Sequence, residues 1–153
     1  KNFVLKKKYA IFQQKCFNYK FNLLNKSETP WSGTRLTKRK FLKSFDYMIQ
    51  RILRKNIKKW WKFNVERNIQ IIENGGWHFN NLFTPEMISL KLKTFAHNEF
   101  AGEEYSNVEV IKKKIDQRKD LFNRGHKLER VDIDETYPDY IIQNMRELNK
   151  FIL

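Results

Sequence analysis

The chain has 153 residues, 41% of them hydrophobic and 15% aromatic, which is enough apolar matter for one ordinary domain with a core and excludes wholesale disorder. Its single cysteine, Cys16, excludes an internal disulfide and a zinc cluster of cysteines, and a buried inert thiol in a reducing compartment is the expected role. No apolar run reaches the roughly 20 residues that cross a bilayer, and no cleavable leader pattern opens the sequence.

The formal charge of +14 is placed unevenly. Residues 1–70 hold 19 Lys/Arg and 3 Asp/Glu, whereas residues 71–153 hold 12 and 14. A basic half suits an anionic partner: nucleic acid, an anionic membrane surface or the diphosphate of a nucleotide-linked substrate. The bland alternative is a solvated lysine-rich surface. Lysine outnumbers arginine and no nucleic-acid motif accompanies it, so no nucleic-acid partner is expected.

From Cys16 to Leu23 the chain alternates, with Phe17, Tyr19, Phe21 and Leu23 apolar and Asn18, Lys20 and Asn22 polar, which predicts a half-buried strand. Lys26 to Arg35, containing Thr29-Pro30-Trp31-Ser32-Gly33-Thr34, reads as a loop. Phe41, Phe45, Met48, Ile49, Ile52, Leu53, Ile57 and Trp60 follow at helical spacing, so one long amphipathic helix is predicted from Lys38 to Lys62. Ile69 to Ile72 is a short strand, stopped by Asn74-Gly75-Gly76, and a loop carrying Trp77 and His78 comes next.

Thr84-Pro85-Glu86 has the residues of a helix start, continued by Ile88, Leu92 and Phe95. Ser106-Asn107-Val108-Glu109 spells a capping box for a second helix, buried through Val108, Ile111 and Ile115 and ending before Asp120. Val131 to Ile133 alternates like a strand. Tyr137-Pro138 opens a closing helix with Ile141, Ile142, Met145 and Leu148 inward. Interleaved strands and helices predict an α/β domain, with a mixed sheet flanked by helices.

Three stretches stand out when read in order: Gly75-Gly76-Trp77-His78-Phe79, then Lys91-Leu92-Lys93-Thr94-Phe95-Ala96-His97-Asn98-Glu99-Phe100, and Tyr137-Pro138-Asp139-Tyr140-Ile141. Upstream lie Tyr19-Lys20-Phe21-Asn22 and Trp31-Ser32-Gly33-Thr34-Arg35. Together they resemble the carboxyl-terminal part of glycosyltransferase family 17. The resemblance implies a partial GT-A-like domain over residues 1–153 and a nucleotide-sugar donor, UDP-N-acetylglucosamine in the best-known members. It also implies inverting transfer to a glycan acceptor. A divalent cation, Mn or Mg, would be held by an Asp-x-Asp expected before Lys1, so residues 1–153 alone are expected to transfer no sugar at a useful rate. Animal relatives imply the Golgi membrane and microbial or viral ones the cytoplasm. Animal members carry cysteines around the Gly-Trp-His segment, where Phe79 and Asn80 stand here.

The resemblance and the residue chemistry together single out candidate site residues. Gly75 and Gly76 would let backbone approach a substrate, with Trp77 stacking on a sugar or filling the core. His78 would bond a phosphate or acceptor, or else loop backbone. His97 is a candidate metal ligand, and Glu99 a candidate base for the acceptor hydroxyl. Their alternatives are a helix-end histidine and a solvated charge. Arg35 could clamp a phosphate oxygen, while Asp120 and Arg124 either bind substrate or pair with each other. Asp132-Ile133-Asp134 is read as a surface strand. Trp77, His78, His97 and Glu99 are expected to converge on one concave pocket. The competing reading is a non-enzymatic module whose basic helix, with Trp60 and Trp61, docks on nucleic acid or an anionic membrane.

Overall fold

The computed structural model describes residues 4–94 and 100–153. Seven strands are present among the described residues: β1 (Tyr9–Phe12), β2 (Lys15–Asn18), β3 (Leu23–Asn25), β4 (Arg35–Thr37), β5 (Ile69–Ile72), β6 (Trp77–Asn80) and β7 (Leu128–Arg130). Five α-helices occur among the described residues: α1 (Phe45–Gln50), α2 (Pro85–Thr94), α3 (Glu103–Ser106), α4 (Val108–Asp116) and α5 (Asp139–Gln143). The fold is mixed α/β, as expected, but with two sheets rather than one. It divides into two compact units, residues 1–15 with 30–76 and residues 16–29 with 77–153.

The first unit is built on the sheet β4-β1-β5. Tyr9 lies opposite Ile69 in a parallel pair and opposite Thr37 in an antiparallel one. Tyr9, Ile11 and Ile69 pack with Met48 and Ile52, and the Tyr9 hydroxyl, inside this apolar cluster, donates to the carbonyl of Phe41 at 2.9 Å. A strand at Ile69–Ile72 is thus present as predicted.

The long helix predicted from Lys38 to Lys62 is not. Only α1 forms, started by Ser44, whose Oγ accepts from the Tyr47 amide at 3.0 Å. Two side chains then take carbonyls that a longer helix would need. Asn56 Nδ2 donates to the Arg51 carbonyl at 2.7 Å, and Arg35 Nε donates to that of Ile52 at 2.9 Å. The backbone turns extended at Leu53 and the rest of the segment is short 3-10 and turn structure.

The second unit holds the sheet β6-β2-β3-β7. The single strand predicted from Cys16 to Leu23 is a hairpin, because Tyr19 takes a positive φ of 68° and turns the chain between β2 and β3. A hydrogen bond from the Leu121 amide to the Tyr19 hydroxyl, 3.0 Å, fixes that turn. The asparagines of the polar phase are buried, not solvated. Asn22 clasps the backbone of Leu153 with both ends of its amide, donating at 3.0 Å and accepting at 2.8 Å.

α2 starts at Thr84-Pro85 as predicted, with the Thr84 hydroxyl accepting from the Met87 amide. The cap of α4 is displaced by one residue from the predicted capping box: Asn107 Oδ1 accepts from Glu109 and Val110, while the Ser106 hydroxyl donates to the Ala101 carbonyl. Ile88, Leu92, Ile111 and Ile115 from these helices close over Tyr19, Leu23 and Leu121. Val131–Ile133 is not a strand; β7 lies just before it, and Val131 and Ile133 pack into an aromatic cluster around Phe17, Phe21 and Tyr137. The closing helix is short, with Ile141 buried and Leu148 packed, but Ile142 and Met145 exposed rather than inward.

Ile111 is fully buried where α4 meets α2, so Ile111→Ala is expected to cost about 2–5 kcal/mol through lost transfer energy and the cavity left behind. The exposed Ile49→Ala should change stability by less than about 0.5 kcal/mol. Urea unfolding of both variants at constant m-value checks the contrast.

Candidate functional site

Strand alternation decides which residues of the second sheet share a face. Trp77 and Phe79 of β6, Phe17 of β2 and Leu24 of β3 all pack into the aromatic cluster, with Phe17 and Phe79 rings 5.4 Å apart. The residues between them therefore face the other way: His78, Cys16 with Asn18, and Asn25. The Tyr19 amide donates to the Asn80 carbonyl at 2.9 Å, a parallel register that puts Cys16 beside His78.

Glu28 organises this polar face. Asn25 Oδ1 accepts the backbone amides of Ser27 and Glu28, both at 3.1 Å, curling the chain so that Asn25 Nδ2 donates to the Glu28 carboxylate at 3.0 Å. The Cys16 thiol donates to the same carboxylate at 3.5 Å. Burial, and then the nearby Glu28, push the Cys16 thiol up to about 12, so it is a neutral donor and no nucleophile. His126 Nδ1 lies 3.2 Å from Asn25 Nδ2 and 3.9 Å from Glu28 Oε1. Asn18 Nδ2, fully buried, has no hydrogen-bond partner among the described residues.

Asp120 and Arg124 complete the cluster. Arg124 donates from Nε at 3.1 Å and from Nη2 at 2.9 Å to the two oxygens of Asp120, and its backbone amide adds a third bond at 2.7 Å. Burial works to raise the Asp120 pKa, yet these bonds override it and hold the carboxyl below the usual range. Arg124 Nη1 also lies 3.8 Å from Glu28 Oε1. The pair thus takes the salt-bridged form of the two roles its sequence allows.

His78 sits in a strand, not in the predicted loop, and is half-buried. Burial lowers its pKa and Glu28 works in the opposite direction, so at neutral pH the imidazole is uncharged, with one donor and one acceptor nitrogen. Trp77 is on the opposite face, so it does not share the concavity with His78 that the sequence predicted. His97 and Glu99 lie outside the described residues. A groove of about 380 Å³ near the start of α2 and α4 is lined by Lys20, Phe83, Glu109 and Lys112, and none of His78, Asp120 or Arg124 borders it.

Gly75, Gly76 and Arg35 belong to the first unit. Gly75 donates to the Gln13 carbonyl at 2.7 Å, and a Cβ there would meet that of Phe12 at 2.9 Å, so close packing onto β1 demands glycine. Gly76 has φ +119°. Arg35 spends its guanidinium on the carbonyls of Ile52 and Gly33. Asp132 and Asp134 are exposed. Among the described residues no group of three or more His, Cys, Asp or Glu side chains is placed to hold a metal ion.

Sequence reasoning missed Glu28, Asn25 and His126. Asn25 lies just before, and Glu28 within, the segment from Lys26 to Arg35 read as plain loop, and the spacing of an asparagine that caps the turn after it was the available signal. Nothing in the sequence marks His126 as their neighbour. Neither a family model, nor a curated protein, nor a solved structure matches the chain.

A group whose folded pKa is depressed stabilises the fold fully above its unfolded value, about 3.9 for an aspartate, and loses that contribution as pH falls through the folded value. Asp120→Asn is therefore expected to cost about 1–2 kcal/mol at neutral pH, reduced by the partial exposure of Arg124, and to remove that part of the acid dependence. Urea midpoints measured from pH 2 to 7, with unchanged acid dependence in the variant, would contradict the assignment.

Proposed function

We propose that the chain belongs to a nucleotide-sugar-dependent transferase, resembling glycosyltransferase family 17, that moves a sugar from a UDP donor to a glycan acceptor with inversion. The resemblance assigns it to the carboxyl-terminal part of a GT-A-like domain, with N-acetylglucosamine as the donated sugar. The observation that carries this reading is the common polar face of β6 and β2, where His78 of the Gly-Trp-His motif and the Asp120–Arg124 pair gather around Glu28.

In this reading His78, uncharged and half-buried, gives one directed hydrogen bond to a sugar hydroxyl or phosphate oxygen. Arg124 is a positioning residue. Its fork is already spent on Asp120, and its remaining nitrogen faces Glu28, so it fixes the carboxylate rather than clamping a phosphate. Trp77 supports the site from behind by filling the aromatic core. Glu99 is the base suggested by the resemblance, and Glu28 is a second carboxylate near His78 that could receive the acceptor proton.

A divalent cation, when bound, neutralises a departing diphosphate. The described residues do not fit one, since Asp132 and Asp134 are exposed with Ile133 turned into the aromatic cluster between them.

The test uses the complete open reading frame that encodes this sequence, supplied with UDP-N-acetylglucosamine, Mn²⁺ and mannose-terminated oligosaccharides. Acceptor-dependent UDP release is expected, and His78→Ala is expected to lower kcat/KM about tenfold or more with the far-ultraviolet circular dichroism unchanged. Absence of turnover by the wild-type protein, or full turnover by the variant, would overturn the reading and the assignment of His78 respectively.

A further inference from the structure

The charge of the molecule coincides with its structural division. The first unit holds seventeen Lys/Arg against three Asp/Glu, a net of +14, and the second holds fourteen against fourteen, a net of zero. Exposed apolar side chains sit within the charged unit. Phe63 is 93% exposed, Phe45 83% and Trp60 79%, in a unit whose own core is small. Phe63 and Trp60 belong to Lys58-Lys59-Trp60-Trp61-Lys62-Phe63, where lysines and rings are interleaved. That segment is held in place, since the Arg67 guanidinium donates to the Trp60 carbonyl at 2.8 Å and the Lys62 amide to the Lys59 carbonyl at 3.2 Å. Phe45 lines a second exposed feature, a groove of about 330 Å³ shared with Leu42 and Ile49.

From these observations we propose that the first unit docks peripherally on an anionic lipid surface, with Trp60 and Phe63 entering the headgroup region and the neighbouring lysines meeting lipid phosphates. Exposed apolar groups inside a strongly charged surface mark interaction sites, and the sign of the charge names an anionic occupant. A second copy of the chain carries the same +14 and is repelled.

Three features favour lipid over nucleic acid. Lysines number twelve in this unit against five arginines, whereas nucleic-acid surfaces lean on arginine forks and stacking. Leu42 and Ile49 cannot stack on bases, yet aliphatic side chains enter a headgroup layer readily. Trp60 and Trp61 meet edge to face at 89°, an arrangement that fills each other's flanks rather than offering parallel platforms for bases. No described helix is long and apolar enough to cross a membrane, so the contact is interfacial.

The proposal does not depend on the sugar-transfer reading and is tested without any sugar substrate. The purified protein is floated with vesicles of pure phosphatidylcholine and with vesicles in which about a third of the lipid is phosphatidylserine. Binding at least tenfold stronger to the anionic vesicles is expected, with a blue shift of tryptophan emission. Each cation at such a surface strengthens association about fivefold, so Lys58→Gln with Lys59→Gln should weaken it about 25-fold. Trp60→Ala with Phe63→Ala should weaken it and reduce the blue shift. Lys58, Trp60 and Phe63 are exposed and Lys59 is half-buried, and circular dichroism verifies that both variants fold. Equal binding to both vesicle types, or none, would overturn the proposal, as would tighter binding to a single-stranded oligonucleotide than to the anionic vesicles.

Discussion

Burial of both faces of one four-stranded sheet is the constraint on which the second unit depends. One face is closed by rings, with Phe21 meeting Phe79 edge-on at 5.2 Å and Phe151 at 6.1 Å. Burying the other face means enclosing His78, Cys16, Asn18 and Asn25, and polar groups taken out of water cost free energy unless they are bonded. Glu28 and Asn25 supply most of those bonds. The same residues that solve this folding problem are therefore the ones that gather titratable chemistry at one place.

This dual role explains why the Asp120–Arg124 pair is built as it is. The Asp120 side chain is 2% exposed and Arg124 40% exposed, so the buried partner is the one whose charge most needs satisfying. Three hydrogen bonds from a single residue do that, and what remains of the guanidinium reaches Glu28. A pair spent in this way orients a neighbouring carboxylate well and grips a ligand poorly.

Features governed by local chemistry were legible in the sequence. Thr84-Pro85 starts a helix wherever it stands, and Asn74-Gly75-Gly76 stops a strand because few residues tolerate the positive φ seen at Asn74 and Gly76. The misreadings arose where distant partners decided the outcome. Helical spacing from Lys38 to Lys62 could not reveal that Asn56 and Arg35 would claim the carbonyls of Arg51 and Ile52. Alternation from Cys16 to Leu23 gave the right period but the wrong environment, because Asn22, which looked solvated, bonds to Leu153, 131 positions away. His78 could be chosen as a candidate from its motif, yet its face of the sheet, opposite Trp77, follows only from which neighbours pack on Phe79.

The first unit answers to a different physics. A net charge of +14 on a small three-stranded unit is self-repelling, and an ion pair between exposed side chains, Arg54 with Glu73 at 3.9 Å, offsets little of it. Local cation–ring contacts, Lys43 over Tyr47 at 4.5 Å and Lys40 over Phe41 at 5.1 Å, place lysines above rings without removing any charge. Repulsion of this kind is relieved by counterions or by an anionic surface, and rings left in water are relieved only by an apolar phase. A lipid headgroup layer supplies both at once, whereas salt supplies the first alone, and for that reason charge and exposed rings argue together more strongly than either does separately.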